Sequence, residues 1–106
     1  MTTFAPGLSP RLPVGCLAPG SHAAETLTRH QQGAPFRDYQ GRRHFLRVDR
    51  DLLSEEDGRF YLPIGIVHVE VRTNLVLIEL PHEAETGANR LWVKQEQLDK
   101  PVEAFA

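Results

Sequence analysis

Residues 58–80, Gly-Arg-Phe-Tyr-Leu-Pro-Ile-Gly-Ile-Val-His-Val-Glu-Val-Arg-Thr-Asn-Leu-Val-Leu-Ile-Glu-Leu, constrain the fold more than any other stretch. Arg59 to Leu62 reads as a strand that Pro63 stops, because proline has no amide donor for a ladder. Gly65 permits a bend, and a second strand follows from Ile66 to Val71. There Val67, Val69 and Val71 share one face, and Ile66, His68 and Glu70 share the other. Arg72-Thr73-Asn74 forms the connection, with Asn74 suited to a left-handed backbone. The return strand sets Val76, Ile78 and Leu80 against Leu75, Leu77 and Glu79. β-Branched residues fit a half-buried pleated surface. Full burial of a side chain such as Ile78 contributes about 1.5–3 kcal/mol. This hairpin is therefore expected to be the centre of the core, with Val67, Val69, Ile78 and Leu80 sealing it.

Other segments extend the β pattern. Residues 43–49 alternate, with Leu46 and Val48 on one side and Phe45 and Arg47 on the other. Leu91-Trp92-Val93 makes a last short strand, and Gln40-Gly41 and Thr86-Gly87-Ala88-Asn89 mark turns. Ser54 to Gly58 reads as an acidic turn without the ligand spacing of a calcium loop. A single helical turn is expected at Pro81 to Glu85.

The N-terminal part differs. Residues 1–20 hold four prolines and three glycines, so regular structure is not expected there. Phe4, Leu8, Leu12, Val14 and Leu17 make it too apolar for a solvated tail, and an extended arm laid on a surface is the expectation. Ser21 can cap a short helix over His22 to Gln32, stopped by Gly33. Pro35 to Gly41 is read as a loop. The organisation is thus an irregular arm with one helix over 1–35, a β domain over 36–98, and a tail over 99–106.

At 106 residues, with 41% hydrophobic and 25% charged residues, the chain has the make-up of one globular domain. Its net charge of −2 divides unevenly, +4 over residues 1–50 and −6 over 51–106. A pI near 6.2 argues against a dedicated nucleic-acid binder. One cysteine, Cys16, excludes an internal disulfide or a cysteine-based zinc site, and it is read as a bystander. No apolar run is long enough to cross a membrane, and the N-terminus lacks the pattern of a signal peptide. A cytoplasmic location follows as the expectation.

Little in the chain supplies chemistry. There is no Gly-x-Ser-x-Gly elbow and no phosphate-cradling glycine loop. Catalytic residues, a metal and a cofactor are accordingly expected to be absent. His68 and Glu70 project from one strand face, and His44, His82 and Glu83 would have to converge on them to hold a metal. Arg42, Arg43 and Arg47, interleaved with Tyr39 and Phe45, form the best basic-aromatic patch for RNA. The outward face of the central hairpin carries Ile66, Leu75 and Leu77, and Trp92 with Leu91 adds to it. Apolar patches of this kind on small domains mark interfaces.

Residues 42–93 resemble the second half of PRC-barrel-like proteins, especially small bacterial members of unknown function. The resemblance rests on Arg-Phe-Tyr-Leu-Pro-x-x-x-Val at 59–67, Val-x-Ile-x-Leu at 76–80 and Glu83-Ala84. Tyr61, Leu62, Pro63, Val67, Val76, Ile78 and Leu80 stand at the family's pattern positions. It implies a compact, strongly bent sheet used as an assembly or adaptor module, with no catalytic residues carried over.

The expectation is a mainly-β protein, a small strongly bent antiparallel sheet closed as a barrel or roll. Its function would be non-enzymatic, through protein contacts and as a homodimer joined at Ile66, Leu75, Leu77 and Trp92. An RNA- or ribosome-associated role through Arg42, Arg43 and Arg47 stands as the alternative, and a metal-binding β-roll as the second.

Overall fold

The computed structural model describes residues 10–15 and 30–102. Among the described residues, eight antiparallel strands run β1 (Arg11–Val14), β2 (Gln31–Arg37), β3 (Arg43–Asp49), β4 (Ser54–Glu56), β5 (Arg59–Pro63), β6 (Gly65–Glu70), β7 (Leu75–Glu79) and β8 (Arg90–Lys94). They form three small sheets, β1-β5-β4, β2-β3 and β6-β7-β8, and none closes on itself. The mainly-β expectation holds. One continuous bent sheet does not, because the chain breaks its ladder at Ile64 between β5 and β6. Ile64 is buried at that corner and Gly65 begins the next strand.

Turn chemistry sets three of the hairpins. Asp57 and Gly58 (φ 52° and 79°) join β4 to β5 as a two-residue connection with both residues left-handed. That backbone matches the twist of the flanking strands. Gly41 (φ 84°) closes the β2–β3 turn, where the Asp38 amide donates to the Arg42 carbonyl and the Gly41 amide to that of Asp38, each 3.0 Å. Asn74 (φ 60°) ends the β6–β7 connection, as its side chain suggests.

The three sheets share one interior. Leu12 of β1, Ala34 and Phe36 of β2, Leu46 and Val48 of β3 and Leu62 of β5 meet Val76, Ile78, Leu91 and Val93 of the third sheet. The alternation read for β3 and β7 is present: Leu46, Val48, Val76 and Ile78 are fully buried. Leu80, just past β7, is buried too.

Strand β6 departs from its sequence pattern. Ile66 pairs with Ile78, but the next pair is His68 with Leu77, so Val67 is an extra, bulged residue. One inserted residue inverts the side-chain parity of everything beyond it. Ile66 and Val69 therefore both pack against the core, whereas Val67 is 39% and Val71 71% exposed. Of the four residues expected to seal the interior, Val69, Ile78 and Leu80 pack on or in the core and Val67 alone is corrected by this bulge.

The N-terminal segment is corrected as well. Residues 11–14, expected to be irregular, form β1 and pair with β5 in the register Leu12 to Leu62. Proline is tolerated there because β1 lies on a sheet edge. The Arg11 amide and guanidinium clamp the Asp99 carboxylate (2.6 and 2.9 Å), which ties this strand to the C-terminal segment. The same guanidinium reaches Glu56 of β4 (3.1 Å) and lies 4.3 Å from the Tyr61 ring centroid. The expected helix falls mostly outside the described residues, but Gln31 and Gln32 at its end open β2, and Pro35 to Arg37 continue that strand instead of a loop. No helical turn forms at 81–85; single 3-10 turns stand at Arg50–Leu52 and Gln95–Gln97. Cys16 and Phe105 also lie outside the described residues, while Val102 packs on the core and exchanges two hydrogen bonds with the Gln95 side chain.

Candidate interaction surface

The ladder of the third sheet sorts its side chains into two faces. Ile66, Ile78 and Leu91 form one inward row, and Val69, Val76 and Val93 the other. The outward rows are Glu79 with Arg90, then His68, Leu77 and Trp92, then Glu70, Leu75 and Lys94. Alternation dictates this division, since residues two apart on a strand project to the same side.

Of the interface residues expected from sequence, Leu75, Leu77 and Trp92 stand together on this outward face, each half-buried. Ile66 does not. The bulge at Val67 leaves it opposite Ile78, on the inward face. His68 takes its place, its ring edge-on to Trp92 at 6.1 Å. No signal in the sequence marks that exchange, because Ile66 and His68 share parity in an unbroken strand. Charges border the apolar centre: Glu79 Oε1 lies 3.6 Å from Arg90 Nε, and Glu70 Oε2 lies 3.9 Å from His68 Nε2. The Tyr39 amide donates to the Trp92 carbonyl (2.9 Å), which sets the β2–β3 turn beside β8.

The arginines expected at a nucleic-acid surface divide differently. Arg43 and Arg47 lie on the outer face of β3 with Phe45 between them, and Arg42 lies in the turn. Arg47 is paired with Glu85 (2.9 Å). Arg37, which the sequence reading left out, stands directly across from Arg43.

Among the described residues, His44 is the polar residue buried in the core. Its ring stacks on Phe36 (5.5 Å, 19°), with Nε2 3.0 Å from Asp38 Oδ2 and Nδ1 2.7 Å from Thr86 Oγ1. A carboxylate only accepts, so Nε2 carries the proton there. Asp38 Oδ1 also accepts the amides of Gln40 (2.9 Å) and Arg42 (3.0 Å). Burial pushes the Asp38 carboxyl up, but the hydrogen bonds from His44, Arg42 and Gln40 outweigh it and hold the group below its ordinary value. This chain of bonds fastens the β2–β3 turn to the 84–88 turn.

His44, His68 and His82 do not combine as ligands. Among the described residues, no group of three or more His, Cys, Asp or Glu side chains is placed to hold a metal. His82 instead lies with Nδ1 3.1 Å from the Glu83 carbonyl. An open cleft of about 520 Å³ lies where β5 turns into β6, walled by Leu52, Pro63, Ile64 and Leu80 with Glu79 at its side. The Glu79 carboxylate there faces Arg90, and Asn89 adds a second polar side chain to the wall.

The chain matches no protein-family model, no curated protein and no solved structure.

Proposed function

We propose that this chain is a non-enzymatic protein-interaction module whose contact surface is the outward face of β6-β7-β8 and whose partner is a second copy of itself. The observation that carries it is the charge pattern around that face. Glu70 on β6 and Lys94 on β8 flank Leu75 in one row. A two-fold axis parallel to β7 would lay β6 of one copy over β8 of the other. Glu70 would then meet Lys94 of the second copy, twice, and His68 would meet the Trp92 ring. Self-complementarity of this kind is what a two-fold interface needs.

Size sets the strength. Three strands about 4.8 Å apart and five residues of about 3.4 Å each present a projected patch of only about 250 Å². Stable complexes bury roughly 800 Å² per partner, so a weak, concentration-dependent dimer is expected. The resemblance of residues 42–93 to PRC-barrel-like proteins supports the same reading, of a β module that works by docking.

Sedimentation velocity over a concentration series tests it. The mass should rise from 12.0 kDa towards twice that value, and Leu77→Glu should hold it at the monomer. A wild type that stays monomeric to about 1 mM, the weak limit for so small a contact, overturns the reading.

A further inference from the structure

We infer that the outer face of the β2–β3 hairpin, at its turn end, is a contact site for single-stranded nucleic acid. Arg37 and Arg43 are direct cross-strand partners, so folding sets two arginine side chains opposite each other on one exposed face. Like charges placed opposite each other oppose strand pairing. Arg42 follows in the turn, also exposed. Neither Arg42 nor Arg43 has an ion pair or side-chain hydrogen bond among the described residues, and Arg37 spends its guanidinium only on the Gly41 carbonyl (2.8 Å).

The one acid of this hairpin turn does not relieve them. Asp38 directs Oδ2 inward to His44 and uses Oδ1 on the amides of Gln40 and Arg42. Among the described residues the three arginines thus have no ion-pair partner, on a chain that is acidic as a whole. Guanidinium groups match phosphate oxygens bidentately, which singles out a phosphate-bearing partner.

Aromatic placement narrows the ligand further. Tyr39 projects from the turn between Arg37 and Arg42 and is 37% exposed. Phe45, half-buried, shares the outer face of β3 with Arg43, two residues away. Same-face neighbours on a strand lie about 6.8 Å apart, which lets a base reach a ring while its phosphate meets the adjacent guanidinium. Rings beside unpaired arginines are the elements of a single-strand groove, where bases stack without sequence preference. Duplex DNA keeps its bases stacked inside and gives such rings nothing to hold. The total charge makes the site local, so binding is expected to be weak and salt-sensitive.

Fluorescence anisotropy with a labelled oligouridine of about 12 nucleotides tests the site. Three phosphate contacts give a slope of log K on log salt near −2, or roughly 20-fold weaker binding between about 50 and 200 mM salt. Arg42→Gln with Arg43→Gln should cut the slope to about −0.7. Tyr39→Ala should weaken binding roughly 5-fold or more through lost stacking. Arg72→Gln, an exposed arginine of the β6–β7 turn, should change nothing. Thermal melting checks that each variant is folded; if the double variant is not, Arg42→Gln alone serves, because its exposed side chain makes no ion pair or side-chain hydrogen bond among the described residues. The site is refuted if no saturable binding occurs at low salt, or if Arg72→Gln weakens it as much as the hairpin variants. Inorganic polyphosphate binding as tightly as oligouridine refutes it too, since the rings would then have no part. Failure here leaves the dimer surface on β6-β7-β8 untouched, as that surface is read by mass and not by oligonucleotide.

Discussion

Ile66 and Ile78 face each other across the β6–β7 ladder, and the next pair along is His68 with Leu77, which leaves Val67 bulged between them. The bulge absorbs that one extra residue, which lets Ile66 and Val69 both meet the core. Substituting it and removing it should therefore both spare the core. Val67→Thr is expected to stay within about 0.5 kcal/mol of wild type, because the side chain stands in solvent. Deleting Val67 removes the bulge and leaves Ile66, His68 and Val69 opposite Ile78, Leu77 and Val76 in an unbroken ladder, so Ile66 and Val69 both stay inward. Ile78→Ala supplies the scale for real core damage, about 2–5 kcal/mol. Urea midpoints of the three variants would show whether the deletion falls with Val67→Thr, as expected, or with Ile78→Ala.

The Asp38–His44 bond predicts a pH dependence of stability. The Asp38 carboxyl is held below its ordinary value in the folded chain. A group depressed on folding stabilises above its unfolded pKa, about 3.9 for aspartate, and loses that contribution as pH falls through the folded value. Asp38→Asn should consequently melt lower than wild type at pH 7. The gap should close progressively below about pH 4. A constant gap across the acid range would mean that the carboxylate charge is not what the fold uses.

Asn74 ends the β6–β7 connection with φ 60°, and its carbonyl accepts the Gln95 amide (3.3 Å). Alanine there keeps the backbone bond but pays the left-handed cost of a Cβ, about 1–2 kcal/mol. Glycine avoids that cost. Chemical denaturation should rank Asn74→Ala clearly below wild type and Asn74→Gly close to it.

Charge reversal separates the proposed two-fold packing from generic stickiness. Glu70→Lys alone and Lys94→Glu alone should each weaken the dimer, since each sets like charges opposite. The double variant swaps both signs and should recover most of the affinity. A double-mutant cycle by sedimentation reads the coupling directly. Additive losses would mean that Glu70 and Lys94 do not meet across the contact.

Strands β3, β5, β7 and β8 were legible because each carries its own alternation and its own stops. Leu46 and Val48, or Val76 and Ile78, name the buried face without help from the rest of the chain. Half of the interface face was legible for the same reason: Leu75 and Leu77 oppose Val76 and Ile78 by parity, and Trp92 follows from its pairing with Leu77. Strands β1 and β2 were hidden. Pro13, Gly33 and Pro35 argue locally against extended pairing, and only the edge positions available beside β5 and β3 make them acceptable. The Arg37–Arg43 opposition was hidden too, since five residues of sequence separate two side chains that the turn sets across from each other.

The residue pattern alone settled that this chain is built of short antiparallel strands, because the period of side-chain alternation is a local property. Register was settled elsewhere. The bulge at Val67, the break at Ile64 that splits one sheet from the next, and the clamp of Arg11 on Asp99 all depend on groups distant in sequence. A strand's hydrophobicity specifies that it has an inner face, but which residues occupy that face is fixed only when a partner strand supplies the other half of the ladder.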